Sequence, residues 1–194
     1  AGLGSVSSGG FIRLRSGEST CTSSGAIYLQ TPNAGASGVS GFLELKSGSA
    51  SCGSSGLVAI TTGTAVGGAG GNVVVSVGTG NTGNGGDVSV TAGETTGASA
   101  DGGDVTVTAG YGAGATASGG GDIILTAGRG NTATGGEIKL ETGFGAATSS
   151  GNFVLHTANA GTSGISGSIT LCSGSASCGA SGAINICTGT ATGG

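Results

Sequence analysis

A glycine followed by large apolar residues at the second and fourth positions after it recurs along the whole chain, and this pattern leaves few architectures open. The anchoring glycines are Gly10, Gly25, Gly41, Gly56, Gly71, Gly86, Gly103, Gly121, Gly136, Gly151, Gly167 and Gly182, spaced by 15 to 18 residues and most often by 15. The second position holds Ile12, Ile27, Leu43, Val58, Val73, Val88, Val105, Ile123, Ile138, Phe153, Ile169 and Ile184. The fourth holds Leu14, Leu29, Leu45, Ile60, Val75, Val90, Val107, Leu125, Leu140, Leu155, Leu171 and Ile186. Alternation with a period of two is the signature of extended chain with one buried face, so these two columns are the predicted core.

Between one such segment and the next lie only eight to ten residues, few larger than Thr, as in TGNTGNG at 79–85. That is too short for the crossover of a βαβ unit, which needs about a dozen residues or more. The chain is therefore expected to return as a tight coil. The predicted fold is all-β: a right-handed parallel β-solenoid of about twelve coils, mostly 15 residues per coil, with a thin two-layer cross-section and residues 1–194 forming one repeat array. Stacked coils would lie about 4.8 Å apart, with identical positions forming ladders over a length of about 55 Å. Glycine is expected at the corners, where positive φ or close backbone approach excludes a Cβ.

Composition removes several alternatives. There are 48 Gly in 194 residues but a single Pro, and the glycines lack a period of three, which excludes collagen. Regularly placed β-branched residues argue against disorder. A formal charge of −4, with two Tyr, four Phe and no basic cluster, supplies neither the electrostatics nor the stacking surface for nucleic acid. No apolar run approaches the roughly 18 residues of a membrane-spanning helix, and Ala1–Gly10 lacks the pattern of a signal peptide.

A longer period overlies the first. The stretch at 34–68, AGASGVSGFLELKSGSASCGSSGLVAITTGTAVGG, returns at 160–194 as AGTSGISGSITLCSGSASCGASGAINICTGTATGG, an offset of 126 residues or eight coils. Neither end carries a cap of the kind that normally protects solenoid termini, so the chain is expected to be part of a longer array or filament. The repeat resembles the repetitive β-solenoids of extracellular surface proteins: filamentous adhesins, cell-coat fibres and flagellar-hair-like filaments. That resemblance implies an extracellular or cell-surface location, and partners that are copies of the chain or its neighbours in a fibre.

Three polar features compete with a purely structural reading. At the first position after the anchor, Asn72, Asp87, Asp104, Asp122, Glu137 and Asn152 form a continuous ladder. Carboxylates about 5 Å apart repel by roughly 3 kcal/mol per pair at an effective dielectric of 20. Ca²⁺ held by Asp87, Asp104, Asp122 and Glu137 would offset this. The loops lack the dense Asp pattern of calcium-binding nonapeptide repeats, however, so bonding of each side chain to a corner N–H is preferred. At the fifth position, Thr61, Ser76, Thr91, Thr108 and Thr126 form a second ladder. It resembles the T-x-T surface of β-solenoid ice-binding proteins, which makes ice binding the rival function. The third position is too irregular for a flat Thr array, and Thr suits extended chain in any case.

The five cysteines form the third feature. Cys172 and Cys187 take the same position in adjacent coils, so coil stacking would bring their Cα atoms to about 5 Å, within disulfide range. Cys21, Cys52 and Cys178 share a return position instead. With no C-x-x-C pair and one histidine, His156, zinc is not indicated. No base stands beside a Ser or Cys nucleophile, and no acid–base pair can be named, so the chain is not read as an enzyme. No cofactor is predicted, with calcium as the one alternative. The sequence reads as a structural or adhesive extracellular fibre or surface-appendage module, with an ice-binding solenoid and a calcium-stabilised surface repeat as alternatives.

Overall fold

The computed structural model describes residues 9–116 and 118–191. Among them there is no helix and no strand. The predicted all-β solenoid is therefore overturned: the apolar segments exist, but they do not stack into a ladder of coils. The outermost stretches on which the expectation of uncapped ends rested, 1–8 and 192–194, lie outside the described residues. The chain divides into two units, Ala1–Thr91 and Ala92–Gly194.

The sequence period survives as a period of bends. In the first unit the chain bends at 20–22, 36–38, 51–53, 66–68 and 81–83. In the second it turns or bends at 98–99, 115–116, 131–133, 146–148, 162–164 and 177–179. Every return segment between successive anchors thus carries one bend or turn. Six of these segments place a glycine in the left-handed region, among them Gly53 and Gly179, both with φ of 104°. A side chain there would strain the backbone.

What holds a return segment is a closure at its two ends. The anchoring glycine sits against the residue at the sixth position after the previous anchor, which is usually small: Gly41 against Thr31, Gly56 against Ser47, Gly136 against Ala127 and Gly167 against Thr157. In five returns the anchor N–H donates to the carbonyl of the seventh position: Gly25 to Gly17 at 2.9 Å, Gly103 to Gly93 at 2.9 Å, Gly121 to Gly110 at 2.9 Å, Gly136 to Gly128 at 2.8 Å and Gly151 to Gly143 at 3.0 Å. Hydroxyls reinforce two closures, with Ser16 Oγ donating to Gly25 O at 2.7 Å and Thr31 Oγ1 to Gly41 O at 3.0 Å. Loops whose ends meet in this way are Ω-like. At several anchors a Cβ would be crowded. A Cβ on Gly86 would lie 2.9 Å from Val77 Cγ1, and one on Gly121 would lie 3.3 Å from the Gly110 nitrogen.

This closure also explains why the stacked coil is not formed. Bringing the ends of an 8- to 11-residue loop together costs less chain entropy than pairing segments 15 to 18 residues apart, by about 0.6 kcal/mol per doubling of length. Stacking recovers that cost only when many neighbouring coils pair at once. The short closure needs no neighbour.

In three segments side-chain contacts show the period-two alternation locally. The Arg13 guanidinium carbon lies 5.9 Å from the Phe11 ring centroid, Lys46 Nζ is 2.8 Å from Glu44 Oε1, and Lys139 pairs with Glu141. All three contacts join residues two apart at odd positions after the anchor, which puts the odd positions on one face and the apolar even positions on the other.

No hydrophobic side chain among the described residues is buried. The two columns predicted as core are instead exposed, the second-position column at 50% to 77% and the fourth-position column at 59% to 89%, against 86% for Phe42 and 80% for Ile124 on the odd face. The chain of 17.5 kDa exposes 18831 Å². A folded monomer of that mass exposes about 7,900 Å² and an extended chain about 25,000 Å². In dilute solution, urea titration followed by far-ultraviolet circular dichroism should accordingly give a gradual, non-cooperative change. A sigmoidal transition, whose slope scales with buried area, would show that the single chain buries its own columns.

Candidate functional site

The largest unsatisfied feature of the chain is the even-position face. It carries two large apolar side chains per segment, all of them exposed, and nothing in the described residues covers them. Where two segments leave the Ser16–Gly25 closure they border an open hollow lined by Leu14, Arg15, Ser16, Ala26, Ile27, Tyr28 and Leu29. Most of that lining is aliphatic or aromatic, and two of its polar side chains are paired: Ser16 Oγ donates to Gly25 O, and Arg15 pairs with Glu18, whose Oε2 is 2.6 Å from Nη2. The hollow is an exposed stretch of the apolar face, without convergent polar groups to orient a small ligand.

The acidic ladder is laid out along successive segments, one carboxylate to each. Asp87, Asp104, Asp122 and Glu137 are all exposed, and no group of three or more His, Cys, Asp or Glu side chains able to hold a metal ion occurs among the described residues. Each carboxylate stands beside an anchoring glycine, and among the described residues no corner N–H donates to it, so the side-chain-to-corner bonds expected from sequence are not formed there.

The hydroxyl ladder of Thr61, Ser76, Thr91, Thr108 and Thr126 is likewise exposed, on the odd face of its segments. Without paired strands there is no 4.8 Å spacing to set these hydroxyls in an array.

All five cysteines are exposed free thiols, Cys172 and Cys187 included. Cys21, Cys52 and Cys178 each occupy the middle residue of a three-residue bend, at 20–22, 51–53 and 177–179. Their shared return position was legible in the sequence, and the structure turns it into a shared conformation. His156 is exposed at an odd position and joins no ion pair. No helix among the described residues is long and apolar enough to cross a membrane.

Sequence reasoning missed the sixth-position closure. Its signal was nonetheless present, as an almost unbroken column of Ser, Thr and Ala at Ser16, Thr31, Ser47, Thr62, Ala92, Ala109, Ala127, Thr142, Thr157 and Ser173.

No protein-family model, no curated protein and no solved structure matches this chain. For a chain that presents separated single carboxylates, a calorimetric titration with CaCl₂ up to 1 mM should show no saturable heat. Saturable binding in the micromolar range, typical of sites with six to eight oxygen ligands, would mean that the ladder closes around the ion.

Proposed function

We propose that the chain is a structural or adhesive module of an extracellular fibre or surface coat, and that it works by association with neighbouring chains. The observation that carries this reading is the uncovered even-position face. Among the described residues thirty-seven large hydrophobic side chains are exposed, twenty-four of them in the two even-position columns, spread along both units rather than gathered at one spot. Monomeric soluble proteins rarely expose contiguous apolar patches beyond a few hundred Å². Burying each such side chain is worth about 1.5–3 kcal/mol, so a partner that covers even a few of them gains substantially.

A structural role also suits what the chain presents chemically. Repetition multiplies one weak contact along its length, which raises avidity without requiring any single strong site. The abundance of small side chains in the return segments lets neighbouring backbones approach closely.

The acidic ladder tunes such an assembly. Between 0.01 and 0.15 M ionic strength the screening length falls from about 30 to about 8 Å, so carboxylates of adjacent chains repel less. Light scattering should therefore show a lower assembly threshold at the higher salt. The variant combining Asp87→Asn, Asp104→Asn, Asp122→Asn and Glu137→Gln should assemble at low salt at a threshold several-fold below that of the parent chain. A parent chain that stays monomeric at high concentration under both conditions would count against the structural role.

A further inference from the structure

Two stretches of this chain, one in each unit, repeat the same even-position face, while their odd positions differ, with Phe42 and Leu57 replaced by Ser168 and Ala183. Residues 34–65 and 160–191 match along their length at an offset of 126, and the backbone repeats with them. Gly38 and Gly164 have φ of 143° and 142°, and Gly53 and Gly179 both have 104°. Their bends coincide, at 36–38 with 162–164 and 51–53 with 177–179. The apolar columns coincide as well: Leu43 and Ile169 are 54% and 50% exposed, and Val58 and Ile184 are 53% and 54%.

Charge separates these stretches from the rest of the molecule. Residues 160–191 contain no Asp, Glu, Lys or Arg, and 34–65 contain only Glu44 and Lys46, which pair with each other at 2.8 Å. The net charge of −4 therefore resides entirely outside them, much of it in Asp87, Asp104, Asp122 and Glu137 between the two. A surface of this kind offers nothing to select a charged partner. A second copy meets it without repulsion, whereas the acidic middle repels its counterpart.

We infer that 34–65 and 160–191 are two equivalent docking surfaces for a second copy of this chain, so that each molecule is bivalent. The inference rests on the associative role proposed above and specifies its geometry. The available area suffices: a 32-residue stretch as exposed as the chain average presents about 3,000 Å², of which about a quarter would supply the roughly 800 Å² per partner of a standard interface. Like surfaces pair with like, and two of them on one chain generate open-ended growth instead of a closed dimer.

The test is the assembly state of full-length variants, measured by sedimentation velocity and electron microscopy. The pair Leu43→Asp with Val58→Asp removes one surface, and the pair Ile169→Asp with Ile184→Asp removes the other. Val88→Asp with Val105→Asp adds the same charge between them. The parent chain and the Val88/Val105 variant are expected to form long assemblies, each single-surface variant to stop at dimers, and the four-fold variant to remain monomeric. Long assemblies from either single-surface variant, or loss of assembly in the Val88/Val105 variant equal to that in the others, would overturn the bivalent arrangement while leaving an associative role standing. A monomeric parent chain would remove both.

Discussion

The rest of this structure depends on the contact between an anchoring glycine and the small residue six positions after the previous anchor. It closes each return segment on itself, fixes where the chain bends, and restarts the alternation of apolar and polar positions in the same phase. It also sets what the chain cannot do alone. A loop closed over 8 to 11 residues satisfies an anchor amide locally, as between Gly136 and Gly128, and leaves the segment that follows without a backbone partner. The apolar columns are consequently ordered in phase but uncovered.

Much of this was legible in the sequence. The anchors, the bend in every return, the sharing of one bend position by Cys21, Cys52 and Cys178, and the separation of odd from even faces all follow from spacing, because each is a property of fewer than about 18 consecutive residues. The stacking of coils did not follow. Pairing of Ile123 with Ile138, or of Val73 with Val88, is a cooperative property of many segments, and a period of 15 is equally compatible with loops that close on themselves. The expected core failed for the same reason: Leu43 and Ile169 face the same way as their columns, yet half of each remains in water.

Function is legible mainly through what is left uncovered. The carboxylates of Asp87, Asp104, Asp122 and Glu137 stand apart without gathering ligands, and the hydroxyls from Thr61 to Thr126 lack a sheet to space them. The even face instead presents the same chemistry many times over, with neutral stretches on either side of an acidic one. Such a distribution favours contacts that are individually weak and collectively strong, which is the requirement on a structural or adhesive chain.

The central claim is that this chain covers its apolar columns with other chains rather than with itself. Amide hydrogen exchange at Val58, Val73, Ile123 and Ile184, measured by mass spectrometry across a concentration series, addresses it most directly. The account predicts near-unprotected exchange at the lowest concentration and strong protection once assemblies form. Strong protection that persists unchanged at the lowest concentration, where the chain is monomeric, would contradict it.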